Sequence, residues 1–143
     1  MIDDPRLPDR FWAKVHPVPL TGCWLWAGGN VRGYGHFFWA GKTRKTHRVT
    51  YEEFVGPIPD GLHIDHLCRV PQCCNPDHLE AVTCRENLLR GDTWQARNAR
   101  KTNCPAGHPY DAVHTYRRKG GGRSCLTCIN RRSAEARAKR KAV

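Results

Sequence analysis

HIDHLCRVPQCCNPDHLEAVTCRENLLR, residues 63–90, is the stretch whose reading decides the fold. Sixteen positions, 63–78, hold an Asp-His pair (Asp65, His66), two spaced cysteines (Cys68, Cys73) and a further histidine, His78. Leu62 to Leu67 reads as a short strand, and a cysteine-bounded loop follows. Asn75-Pro76 predicts a helix start, with Asn as cap and Pro at the first helical position. Thr83-x-x-Glu86 is a capping box that opens another helix and sets Asn87 one turn inside it. Ligand-type residues at this density point to metal chemistry rather than to ordinary core.

Two kinds of metal chemistry separate within the stretch. Cys68, Cys73 and His78 supply soft and imidazole ligands of the type that closes a tetrahedral zinc. A fourth ligand is needed; Cys23, upstream, is the favoured candidate, with Cys74 and Cys84 as rivals. Asp65 and Asn87 are hard oxygen donors suited to Mg2+, which takes few protein ligands and keeps water and phosphate oxygens. A neutral His66 can take a proton from an attacking water. Base plus one divalent ion is a minimal phosphodiesterase. Strand alternation points Asp65 and His66 to opposite faces, so the scheme requires the strand to end or twist there.

Outward from this stretch, residues 9–16 (DRFWAKVH) predict a short helix capped by Asp9, stopped by Pro17 and Pro19. Residues 21–48, rich in aromatics and in glycine turns, predict two or three antiparallel strands, with Trp24, Trp26, Phe37 and Trp39 in the core. Residues 47–55 predict a helix capped by Thr46 and stopped at Gly56-Pro57.

A second cluster lies downstream. Cys104-x3-His108 and Cys125-x2-Cys128 offer three sulfurs and one nitrogen, enough for a closed structural zinc. The charge follows the same division. Residues 1–87 are neutral, with ten Lys/Arg and ten Asp/Glu, whereas 88–143 carry the whole net charge of +11. That basic half predicts contact with a polyanion. Its expected phosphate contacts are Arg90, Arg97, Arg100, Lys101, Arg117, Arg118, Lys119, Arg123, Arg131 and Arg132. The Ala-, Arg- and Lys-rich tail has little to bury and is expected to order on DNA.

Composition limits the alternatives. With 39% hydrophobic residues and a mean hydropathy of −0.68, the 143-residue chain cannot build a large apolar core. No charged start leads into an apolar segment, and no run approaches the ~18 apolar residues of a membrane span. Eight cysteines in a chain expected to be cytoplasmic point to zinc rather than to disulfides.

HLCRVPQCCNPDHL, residues 66–79, resembles the His-Cys box of homing endonucleases, and 62–90 as a whole resembles the HNH endonucleases common in phage genomes. Both belong to the ββα-metal (His-Me finger) superfamily. The resemblance extends over about residues 20–130, through GCWLWAG, GYG, THR and the CPAGH…CLTC finger. It implies an α+β chain: a small zinc-stabilised ββα-metal nuclease core with N-terminal antiparallel strands, a C-terminal zinc module and a basic helical tail. The implied division is a nuclease domain at 1–90, a basic linker at 91–103, a Cys3His module at 104–130 and the tail at 131–143. By resemblance His66 is the general base, and Asp65 and Asn87 bind Mg2+. Cys68, Cys73, His78 and Cys23 hold the structural zinc, and Arg44 or Arg48 contacts the scissile phosphate. Where the HNH pattern has a middle Asn, His78 takes a ligand role and Asn75 is a helix cap.

The implied activity is Mg2+-dependent cleavage of double-stranded DNA to 5′-phosphate and 3′-hydroxyl ends, in the host cytoplasm for a phage-encoded chain. A monomer would nick; a homodimer would cut both strands. A zinc-held DNA-binding protein without catalysis and a ribonuclease on the same fold are the competing expectations.

Overall fold

The computed structural model describes residues 3–141, in two compact units that part between Asp92 and Thr93. The architecture is α+β throughout, built from small antiparallel sheets and short helices.

The first unit begins with α1 (Asp9–Trp12), a single turn. The helix expected over 9–16 is shortened, because Val15–Val18 form β1 and pair with β2 (Cys23–Trp26). Tertiary pairing overrides the local helical pattern here. Pro17 fits because each strand of a two-stranded sheet is an edge. Nor does Asp9 cap α1: Pro8 holds the N-cap position, without a side-chain bond. Next come β3 (Asn30–Val31), β4 (Tyr34–Trp39) and β5 (Lys42–Lys45), one three-stranded sheet in chain order.

Leu7, Phe11, Trp12, Val15, Trp26, Phe37, Val49 and Cys74 make the core, with Trp24, Trp39 and Phe54 packed against it. Phe11 is its centre, meeting Trp26 at 5.0 Å and Phe37 edge-on at 5.1 Å. Trp26 lies flat over Gly35, where an added Cβ would stand 2.5 Å from the indole. Only glycine admits that approach.

Helix α2 (Thr46–Phe54) follows β5 directly and buries Val49 and Thr50. Thr46 was expected to cap it. Instead Lys45 occupies the N-cap without a side-chain bond, and Thr46 is buried inside the first turn against Gly35.

The stretch quoted first folds as strand, strand, helix. β6 (Leu62–His66) pairs antiparallel with β7 (Leu79–Thr83), from Leu62 opposite Thr83 to His66 opposite Leu79. α3 (Cys84–Arg90) then packs on both strands. The helix expected from Asn75 is only one 3-10 turn, Pro76–His78. Asn75 does cap it, accepting from the Asp77 N–H at 3.0 Å. The chain then extends because Leu79 and Val82 are buried on β7. The capping box is formed in both directions: Thr83 Oγ1 accepts from the Glu86 N–H, and Glu86 accepts from the Thr83 N–H.

The second unit contains α4 (Trp94–Arg100), capped by Thr93, the hairpin of β8 (Thr115–Arg117) and β9 (Arg123–Cys125), and α5 (Leu126–Lys141). The tail expected to await DNA is therefore already helical as far as Lys141. Its Ala- and Arg-rich sequence has high helix propensity, and it grows out of the CLTC turn. No residue of α5 is buried. Among the described residues, no helix is long and apolar enough to cross a membrane.

Candidate active site and metal centres

All eight cysteines are free of disulfides, and seven of them are accounted for by two clusters and the core. Loop 72–74 lies along β2: Trp26 N–H donates to Gln72 O at 3.1 Å and Cys74 N–H to Trp24 O at 2.9 Å. That docking sets Cys73 beside Cys23. The ligand atoms of Cys23, Cys68, Cys73 and His78 all lie within 4.8 Å of one another. His78 Nδ1 stands 3.6 Å from both Cys23 Sγ and Cys73 Sγ.

A tetrahedral zinc with ligands at about 2.1–2.3 Å sets its ligand atoms roughly 3.4–3.8 Å apart, so the donor set and spacing fit. Asn75 braces the arrangement, donating to Gly22 O at 2.7 Å while its own N–H faces Cys73 Sγ at 3.5 Å. Cys74 turns the other way, into the core, with its thiol on Trp24 O. Cys84 is exposed at the start of α3. Burial pushes the Cys74 thiol far up, so it is not a ready nucleophile.

The second cluster is equally compact. His108 Nδ1 lies 3.5, 3.7 and 3.3 Å from the sulfurs of Cys104, Cys125 and Cys128, and Cys104 Sγ is 3.8 Å from Cys128 Sγ. A hydrogen bond from the backbone N–H of Cys128 lowers the Cys125 thiol to about 6. Both clusters can thus hold a tetrahedral ion, and each uses all four positions on protein.

His66 and Asp65 end β6 and face different ways. The imidazole of His66 is buried, with Nε2 3.0 Å from the carbonyl oxygen of Cys73. A carbonyl only accepts, so Nε2 carries the proton and Nδ1 keeps its lone pair. Burial lowers the His66 pKa, partly offset by that hydrogen bond and by Asp65, which favours the neutral ring. It is packed by His47 at 4.8 Å and Tyr34 at 6.0 Å.

Asp65 points toward α3. Arg69 Nη1 donates to both of its oxygens, at 2.8 and 3.1 Å, and Arg90 Nη1 stands 3.6 Å away. Asn87, half-buried, lies one turn before Arg90 on the same helix face. This strand end therefore presents an imidazole whose Nδ1 lone pair is not used by the Cys73 bond and, on the preceding residue, a buried carboxylate that already pairs with cations.

The expected arginines divide. Arg44 is held by Glu52 across α2. Arg48 is half-buried in α2. Arg123 is turned inward: it donates to the backbone carbonyls of Asn98, Ala99 and Lys101 at the end of α4 and stacks on Tyr110 at 4.1 Å. It organises the second unit rather than presenting charge. Arg97, Arg100, Lys101, Arg117, Arg118, Lys119, Arg131 and Arg132 are exposed.

Tyr34, Lys45, His47 and Arg69 surround the site without having been singled out by residue type. Lys45 Nζ lies over the Tyr34 ring at 4.6 Å. What marks His47 is its burial next to a second imidazole, that of His66.

His47 is 3% exposed, and its Nδ1 has no hydrogen-bond partner among the described residues. Burial, with the nearby His66, lowers its pKa from 6.5 to about 3. The unfolded chain therefore takes up a proton that the folded chain refuses. Stability is full above the unfolded value and falls as pH drops through it, by about 1.4 kcal/mol per pH unit. His47→Gln is expected to abolish about 2 kcal/mol of the loss between pH 7 and 5. Urea unfolding at pH 7 and pH 5 checks this, and equal losses in both proteins would exclude it.

The sequence profile described as HNH endonuclease matches residues 44–89, from the end of β5 through α3. The uncharacterized gene 5.3 protein of Enterobacteria phage T3 is 34% identical over 85 residues, covering 54% of this chain and 83% of that protein. The chain belongs to the HNH endonuclease family. Two Escherichia phage T7 proteins are also similar. Protein 7.7 is 42% identical over 69 residues, covering 48% of this chain and 53% of its own, and protein 2.8 is 40% identical over 74, covering 49% of each. The chain spans about half the length of those two relatives. No solved structure matches it significantly.

Proposed function

We propose that this HNH protein is a Mg2+-dependent endonuclease of duplex DNA, acting in the cytoplasm of the phage host and leaving 5′-phosphate and 3′-hydroxyl ends. The observation that carries the reading is the bond between His66 Nε2 and Cys73 O, which leaves Nδ1 as the proton acceptor. His66 takes a proton from the attacking water. Asp65 and Asn87 hold the divalent ion, which when bound supplies positive charge for the phosphate and the leaving oxygen. The two Cys/His clusters hold structural zinc. The first fixes the carbonyl that orients the base, because Cys73 belongs to both.

The second unit contributes affinity through its exposed Lys and Arg side chains, while the first supplies chemistry. Cys104→Ser, which breaks the second cluster, is expected to weaken duplex binding and flatten its dependence on salt, by about 0.9 in log–log slope for each phosphate the protein no longer neutralises. Fluorescence anisotropy at several salt concentrations checks this. Unchanged affinity would contradict the division of labour.

The activity itself is tested by offering matched duplex DNA and RNA oligonucleotides to the zinc-loaded chain with Mg2+ or with EDTA. Cleavage of DNA that requires the ion is expected. Cleavage of RNA alone would make the protein a ribonuclease, and binding without cleavage of either would make it a zinc-held DNA-binding protein.

A further inference from the structure

Asp65 is enclosed by positive charge on two sides. Arg69 Nη1 bridges both carboxylate oxygens, and Arg90 Nη1 approaches the second at 3.6 Å while also pairing with Glu80, the residue opposite Asp65 in the sheet. The Asp65 side chain is 5% exposed, whereas those of Arg69 and Arg90 are 49% and 35% exposed. Each arginine side chain thus pairs with a buried carboxylate while a third to a half of it stays exposed to solvent. Arg69 reaches its place through a left-handed backbone, φ 60°, in a turn closed by its N–H on His66 O at 3.0 Å. Side chains other than glycine seldom adopt that conformation, and where one does the position is over-determined by its surroundings. Here the turn folds Arg69 back over the end of β6 onto Asp65.

We propose that Arg69 and Arg90 form a latch on Asp65 that a divalent ion has to displace, and that the phosphates of bound DNA release the latch by drawing the guanidinium groups away. This rests on the reading that Asp65 takes the divalent ion. A carboxylate oxygen cannot serve a guanidinium and a hard cation at full strength together, and the two cations repel one another. Exposed guanidinium edges are suited to bidentate pairing with phosphate. The free protein therefore holds the ion weakly, and DNA and ion strengthen each other's binding by the same factor. The consequence is a nuclease that loads its metal on its substrate.

Mn2+ binding to the full, zinc-loaded chain, measured by electron paramagnetic resonance of the free ion, tests the latch without relying on activity. A His66→Ala background prevents turnover. Arg69→Gln is expected to bind Mn2+ about tenfold more tightly than its parent in the absence of DNA, the effect of removing one charge-assisted pair. Arg90→Gln should shift binding the same way by less, and Asp65→Asn should lose the site. Adding a duplex oligonucleotide should tighten Mn2+ binding more in the parent than in Arg69→Gln. If Asp65→Asn loses the site but Arg69→Gln binds no more tightly than the parent, the latch is wrong while the metal reading stands. If Asp65→Asn binds as the parent does, Asp65 is not the ligand and both fall. Zinc content and circular dichroism establish that each variant is folded. Should Arg69→Gln fail to fold, Arg90→Gln on the surface of α3 decides the sign.

Discussion

His66→Ala is expected to slow DNA cleavage by 10²- to 10⁴-fold in single-turnover conditions, the usual contribution of a positioned general base. The ring is the group with both a fixed tautomer and a free lone pair at this strand end. Its Nε2 proton is committed to Cys73 O at 3.0 Å, and its pKa is lowered by burial. Truncation also leaves that buried carbonyl without its donor, which costs about 1–3 kcal/mol of stability. The experiment therefore needs a control for folding. His66→Gln retains a side-chain N–H donor but lacks a basic nitrogen, and it should be as inactive as the alanine variant while holding two zinc ions. A rate within threefold of wild type in either variant would remove His66 from the chemistry.

Cys73→Ser has the second large expected effect. The residue is fully buried, and its sulfur stands 3.6 Å from His78 Nδ1 among the four ligand atoms of the first cluster. Small structural zinc sites contribute apparent folding free energies of about 10–16 kcal/mol, as large as the roughly 5–15 kcal/mol total stability of an ordinary domain. The first unit should lose its zinc and its cooperative unfolding transition, and cleavage should vanish with His66 still in place. Cys74→Ser gives the contrast. Cys74 is just as buried but faces Trp24 O and the core, so that variant should keep two zinc ions and lose only about 1–3 kcal/mol. Zinc stoichiometry by mass spectrometry, with thermal unfolding, separates the pair. Two zinc ions retained in Cys73→Ser, or one lost in Cys74→Ser, would reverse the assignment.

Much of this was legible in residues 63–90 because the signals are short-range and chemical. Cysteine and histidine spacing gives the ligand sets, a Thr-x-x-Glu box starts α3, and Asn75 caps its turn whatever the chain does next. The elements misread were those decided at a distance. Val15 and His16 end a local helical pattern but extend because β2 lies beside them, and Leu79–Thr83 follow a helix start but become a strand because β6 offers a partner. The site shows the same limit. Its proposed metal-binding carboxylate and base are adjacent in sequence, whereas Tyr34, His47 and Lys45 arrive from β4, α2 and β5 by tertiary packing. Arg123 looked like surface charge, and only the fold shows its guanidinium closing the end of α4. Arg69 carries no signal in the sequence, because no pattern announces a left-handed turn at an arginine.

Supercoiled plasmid incubated with the zinc-loaded wild-type chain and Mg2+ tests the central claim most directly: a neutral imidazole and a carboxylate-held divalent ion act on one phosphodiester. Nicked or linear DNA bearing 3′-hydroxyl ends, formed with Mg2+ and suppressed by EDTA, is the expected result. Plasmid left supercoiled under Mg2+, Mn2+ and every other divalent ion tried, by a chain shown to hold both zinc ions, would contradict it.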